Sequence, residues 1–126
     1  MRFAKLVFLL AGIYGLLILA PICFWEKAIG KRTPPAITHT EYFYEFVRMA
    51  LAWQELFHVL QTHPMRYRVM ILPSILEKVG YGIALIVLLL QRRLPLSAFS
   101  IGSVDWVFAF LFLAAYFRAK SARAAV

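Results

Sequence analysis

Residues 6–24 read LVFLLAGIYGLLILAPICF, a run with no charged side chain, and Arg2 and Lys5 precede it. As an α-helix, about 19 residues rising about 1.5 Å each reach across a hydrocarbon core of about 30 Å. A cleavable export signal has similar flanks, so the small-residue pattern near its end is the discriminating feature. Ala20 is followed by Pro21, no A-x-A pattern is present, and Ala20-Pro21-Ile22 does not make a lipoprotein box before Cys23. The run is therefore expected to stay in the chain as a membrane anchor.

Three further apolar runs lie C-terminal to it. Tyr42 to Gln61 holds Glu45, Arg48, Gln54, Glu55 and His58, and Thr38 and Glu41 stand before it with the spacing of a capping box. Val69 to Leu90 carries Pro73 near its start, where proline is best tolerated, and is interrupted by Glu77 and Lys78. Ser100 to Phe117 contains Asp105. No segment alternates with the period of a membrane β-barrel strand. The expected fold is an all-α membrane protein, a single four-transmembrane-helix bundle with spans at about 6–24, 42–61, 69–90 and 100–117. The longest connector, around Lys31-Arg32-Thr33-Pro34-Pro35, is expected to take an extended path because of its prolines.

Composition agrees with that reading. The chain has 126 residues, enough for one domain, with 63% hydrophobic and 16% charged side chains. A soluble domain carries roughly 45–50% apolar and about 25% charged residues, so no water-facing surface can be assembled from this one. The net charge of +8 comes from 14 Lys and Arg against 6 Asp and Glu. Most of the basic residues flank apolar runs, where they orient a membrane protein and touch anionic head groups. Membrane lipids are accordingly expected partners and nucleic acid is not. The single Cys23 excludes an intramolecular disulfide and any multi-cysteine metal site.

Basic residues in the flanks set the expected orientation. With a cytoplasmic N-terminus, Arg2, Lys5, Arg66, Arg68, Arg118, Lys120 and Arg123 fall inside, and Lys27, Lys31, Arg32, Arg92 and Arg93 outside. The bias favours both termini in the cytoplasm.

Ionised side chains near a bilayer centre are costly, about 2.5–3.5 kcal/mol each on insertion scales, and so mark function or pairing. On the second span Glu45, Arg48, Glu55 and His58 fall within an arc of about 140° at 100° per residue, a stripe expected to point into the bundle. Counting depth along each span places Arg48 level with Asp105, which suggests an interhelical ion pair in an outer layer. Glu55, His58 and Glu77 then share an inner layer that Lys78 can reach, and Gln54, beside Trp53, is expected to hydrogen-bond between helices. Glu55-x-x-His58 is half of a di-iron motif. The second half is missing, so no metal and no cofactor is expected.

Two kinds of function fit these residues. One is a non-catalytic component that binds a lipid, a quinone or other apolar small molecule, a partner membrane protein or a second copy of itself. The other is a small membrane enzyme that moves a proton on an apolar substrate, isomerase-like, with Glu77, Glu55 and His58 as candidate acid–base groups. No oxyanion site, P-loop or dinucleotide fingerprint accompanies them, which favours the first.

The segment PPAITHTEYFYEFVRMALAWQELFHVLQTHPMRYRVMILPSILEK, residues 34–78, resembles a group of small bacterial membrane proteins of unassigned function with four predicted helices. Pro34, Pro35, Thr38, His39, Ala52-Trp53-Gln54, Pro64, Arg66, Arg68, Pro73 and Glu77-Lys78 carry the likeness. More distantly the layout is similar to the DoxX-like superfamily of four-helix membrane proteins. The resemblance implies the four-helix architecture and favours Glu77 and Lys78 among the candidate site residues. It implies no activity.

Overall fold

A computed structural model describes residues 2–32 and 37–125; the proline-bearing connector Thr33-Pro34-Pro35 lies outside the described residues. Among the described residues every regular element is helical: α1 Arg2–Ile22, α2 Glu26–Arg32, α3 Thr40–Thr62, a 3₁₀ turn Arg68–Met70, α4 Ile71–Leu90, α5 Leu96–Gly102 and α6 Val104–Ala124. Three stretches are long and apolar enough to cross a membrane, namely Arg2–Ile22, Arg68–Leu90 and Leu96–Ala124. The expected second span forms a helix of 23 residues, α3, but does not join them. Its length suffices. Glu45, Arg48 and Glu55 fall within every 18-residue stretch of it, which leaves no window apolar enough.

The helix ends follow local chemistry. α1 passes through Pro21 and closes in a turn in which the Phe24 N–H donates to the Pro21 carbonyl at 3.0 Å. α3 begins two residues after the expected Thr38 cap. There the Tyr42 and Phe43 N–H groups both donate to the His39 carbonyl at 3.2 Å, and the His39 ring lies 3.2 Å from the Glu41 carboxylate. α4 ends in a Schellman arrangement: the Arg93 N–H reaches the Leu88 carbonyl at 2.9 Å and the Arg92 N–H reaches Leu89 at 3.0 Å. Arg92 occupies the left-handed position that glycine usually fills, with φ 57°. The last span is longer than the expected 100–117. It begins as α5 at Leu96, breaks at Ser103, whose hydroxyl donates to the Ser100 carbonyl at 2.7 Å, and continues as α6.

Two compact units divide the chain, one of residues Leu9–Val59 and one of Met1–Phe8 with Leu60–Val126. In the first, α1 and α3 run antiparallel, with the side chains of α3 seated on small residues of α1. Gly12 faces the His58 ring and Gly15 faces the Gln54 side chain, so neither position has room for a Cβ. Tyr44 donates to the Glu26 carboxylate at 2.7 Å and ties α2 to α3.

In the second unit, α6 packs antiparallel to α4 and to the first turns of α1. Phe8 stacks on Phe112 at 4.7 Å between ring centres, and Ala4, Ala115 and Ala119 are fully buried. Gly82 lies against the Trp106 indole and Gly102 against Leu85, which lets α4 approach α5 and α6 closely.

The long helices bury little inside the chain, only 28%, 28% and 17% of the most apolar window of each candidate span. Leu17 (72% exposed), Leu76 (71%) and Phe110 (69%) are open on their surfaces. Exposing such side chains to water forfeits about 1.5–3 kcal/mol apiece, a loss that a hydrocarbon surrounding removes. The surface these helices leave open is largely apolar, as it is on a helix long and apolar enough to cross a membrane.

Candidate functional site

The second unit brings three ionisable side chains together from two helices. Lys78 on α4 is buried, at 7% exposure. Its amino group lies 3.4 Å from Asp105 Oδ1 on α6 and 3.5 Å from Glu77 Oε2 on α4. The cluster is a single ammonium flanked by two carboxylates. With all three ionised its net charge is −1.

The sequence pairs Asp105 with Arg48; within its own unit Asp105 meets Lys78, and Arg48 belongs to the other unit. The reason is register. Counted from Ser100, Asp105 is about 8 Å into its span, but the helical path begins at Leu96, so it is about 14 Å in at 1.5 Å per residue. Lys78 is about 18 Å from the same end of α4, Leu90, about one helical turn deeper than Asp105, a gap that its four-carbon stem can cover. The deeper position of Asp105 puts it within reach of Lys78. Arg48 is exposed on α3.

Removing three charges from water costs several kcal/mol per ion, and mutual attraction offsets that only when the remaining polar atoms are satisfied. One of them is not. Glu77 Oε2 is buried and accepts no hydrogen bond, although the Lys78 charge stands 3.5 Å away. The Glu77 side chain keeps 22% of its surface open, against 8% for Lys78 and 15% for Asp105. The cluster thus has an enclosed half, Lys78 with Asp105, and a less enclosed side chain, Glu77, whose buried Oε2 has acceptor capacity to spare.

The remaining candidates lie on α3, in the other unit. The stripe expected to turn inward does not do so as a whole. Glu45, Arg48 and Glu55 are exposed, while Val47, Gln54 and Phe57 are buried. At 100° per residue the buried trio spans about 80°, and the charged trio spans about 80° centred some 160° away, nearly the opposite face. Apolar packing, with the glycines of α1 as its seat, sets the rotation of α3. Charge does not.

His58, at one edge of the expected stripe, is half-buried, and its Nδ1 lies 2.8 Å from the Gln54 carbonyl. Gln54 was expected to bond between helices. Its amide donates instead to the Ala50 carbonyl of its own helix at 2.9 Å, and its Oε1 is buried without a partner. Trp53 is half-buried, with its ring 6.4 Å from Phe57. Among the described residues no three His, Cys, Asp or Glu side chains converge as metal ligands would.

Comparison with protein-family models, curated proteins and solved structures finds no match in any of the three. The Glu77–Lys78–Asp105 cluster can hold α4 to α6, and its Glu77 carboxylate can accept a hydrogen bond from a neutral donor or exchange a proton with one.

The Lys78–Asp105 pair has a signal in the sequence. Both residues interrupt apolar runs on consecutive spans that a short connector makes antiparallel, and a late start for the last span widens the gap in depth between them from about 4 Å to about 10 Å at 1.5 Å per residue.

Proposed function

We propose that the chain is a non-catalytic, four-span component of a bacterial inner membrane, with both termini in the cytoplasm. Its bundle would receive an apolar guest at the partly exposed Glu77 side chain, and the guest would be a lipid, a quinone in its hydroxylated form, or a partner helix with a polar side chain. The observation that carries this reading is the buried Glu77 Oε2 that accepts no hydrogen bond at the edge of an otherwise enclosed ion cluster. The Lys78 ion pair at 3.5 Å leaves that oxygen without a directed hydrogen bond, which a guest donor would supply. The exposed apolar surface of the three candidate spans supports a membrane setting. The fourth span in this reading is α3.

A proton-transfer enzyme is the second reading, favoured by the same carboxylate. The two separate in one experiment. Protein purified in mild detergent, as wild type and as Glu77→Gln, is analysed by native mass spectrometry and by organic extraction. A guest retained by the wild type and lost from a folded Glu77→Gln supports the binding component. Chemical turnover of the retained molecule on incubation would favour the enzyme. Equal occupancy in both proteins, or no retained molecule in either, would reject Glu77 as the docking point.

A further inference from the structure

The end of the second unit where α6 finishes and α4 begins concentrates cations without counter-charge. Tyr116 on α6 supports the Arg68 guanidinium, whose central carbon lies 5.6 Å from the ring centre. Lys120 and Arg123 follow Tyr116 at intervals of four and three residues and so share its face of the helix; both are exposed. Arg66, also exposed, stands over the Tyr67 ring at 5.6 Å in the turn before α4. No acidic residue occurs between Glu55 and Glu77 or after Asp105, so the segments that build this end contribute positive charge alone.

A second observation points to a ligand. Arg68 Nε is buried and donates no hydrogen bond, while the guanidinium is held in place by the aromatic ring beneath it. Guanidinium forks match the oxygens of a phosphate, and a donor left unpaired beside exposed lysine and arginine is the geometry an anion completes. The surface below is apolar. Leu72 and Leu76 on α4 are 46% and 71% exposed, and Leu113 on α6 is 41% exposed. Each lies toward the interior of its span from the cations and near their helical face, so a head group at this end has a path for its acyl chains.

We propose that Arg66, Arg68, Lys120 and Arg123 form a phosphate site that binds the head group of an anionic phospholipid at this end of the α4–α6 pair. Arg68 supplies the fixed contact and the other three supply mobile charge. The site lies at the end of the spans, away from Glu77, and stands or falls separately from the guest proposed there.

The test uses the full chain in nonionic detergent, titrated with dioleoyl phosphatidylglycerol or dioleoyl phosphatidylcholine and followed by native mass spectrometry. Phosphatidylglycerol is expected to be retained at least about tenfold more tightly, since each nearby cation contributes about fivefold. Lys120→Gln and Arg123→Gln, both at exposed positions, should each weaken phosphatidylglycerol by about fivefold and leave phosphatidylcholine unchanged. Arg68→Lys keeps the charge but removes the fork, and should also weaken it. Arg92→Gln with Arg93→Gln, at the opposite end of α4, should have no effect. Equal retention of the two lipids would overturn the site, and so would a loss in the Arg92/Arg93 variant as large as that in the Lys120 and Arg123 variants. Displacement of phosphatidylglycerol by millimolar inorganic phosphate would reassign the site to a free anion and overturn the lipid proposal.

Discussion

Helix α3 and the α4–α6 pair both carry ionisable side chains in mid-helix, and they dispose of them in opposite ways. On α4 and α6 the charges are drawn in, with Lys78 held between Glu77 and Asp105. On α3 Glu45, Arg48 and Glu55 stay exposed while Val47, Gln54 and Phe57 are buried. The difference follows from what each helix finds opposite it. Asp105 offers Lys78 a counter-charge at the right depth. α1 offers α3 glycines, which take the Gln54 and His58 side chains and leave the charged residues to turn outward. A charged stripe in an apolar helix is therefore no guide to its inward face unless a partner of opposite sign exists at that level.

The largest effect that could break this comparison is topological. If α3 crosses the membrane despite its exposed charges, compartment reporters placed after Lys31, His63, Arg93 and the C-terminus should alternate, with periplasmic signals after Lys31 and Arg93 and cytoplasmic ones after His63 and at the C-terminus. Like signals after Lys31 and His63 would make α3 a surface helix, and its charges would then need no explanation beyond solvent. The Arg93 and C-terminal reporters test the last span independently, since α5 and α6 together are long and apolar enough to cross.

Next in size is the energy stored in the ion cluster. Lys78→Met leaves two carboxylates facing each other without their cation and should cost about 3–5 kcal/mol, read as a large drop in thermal midpoint in detergent. Asp105→Asn leaves a one-to-one pair of Lys78 and Glu77 and should cost less. Replacing all three by Met, Gln and Asn should recover much of the loss, because no uncompensated charge remains. Arg48→Gln on α3 changes an exposed residue and should stay within about 0.5 kcal/mol of wild type. If Arg48→Gln proves as damaging as Lys78→Met, the two regions do not differ as described.

How much of this was legible in the sequence depended on the kind of signal. The runs of α1 and α4 were visible as apolar length, broken in α4 only by Glu77 and Lys78, and the structure places α1 at Arg2–Ile22 and α4 at Ile71–Leu90, close to the expected spans. Glu77, Lys78 and Asp105 stood out as charges inside apolar runs, but their grouping depended on where the last span begins. Leu96 lies only three residues after Arg93, beyond a proline, and was read as connector, which put Asp105 about 6 Å too shallow at 1.5 Å per residue. The rotation of α3 was not legible from α3 alone. Its periodicity defines two stripes, one apolar with Gln54 and one charged, and only the glycines of α1 determine which of them is covered.

Those glycines supply the smallest and most selective test. Alanine in place of a mid-helix glycine gains about 1 kcal/mol of helix propensity, so any loss measures the space that the hydrogen atom leaves free. At Gly82 the added methyl group would overlap the Trp106 indole, a rigid ring with no far end that can bend aside. Overpacking of that kind costs about 1–3 kcal/mol, which makes Gly82→Ala neutral at best and destabilising by up to about 2 kcal/mol after the propensity gain. At Gly15 the overlap is with the Gln54 side chain, a flexible group whose one side-chain hydrogen bond, to the Ala50 carbonyl, costs about 0.5–1.5 kcal/mol to give up. Gly15→Ala should therefore be the milder change. Thermal unfolding of the two single variants in the same detergent, with near-ultraviolet circular dichroism to follow the tryptophans, checks both. A midpoint lowered by Gly82→Ala and nearly unmoved by Gly15→Ala fits a close α4–α6 contact built on the indole and an α1–α3 contact with a yielding amide. The reverse order would mean that Gln54 is held more firmly than its own hydrogen bonds account for, and would identify its unpaired oxygen as bonded to something the chain alone does not supply.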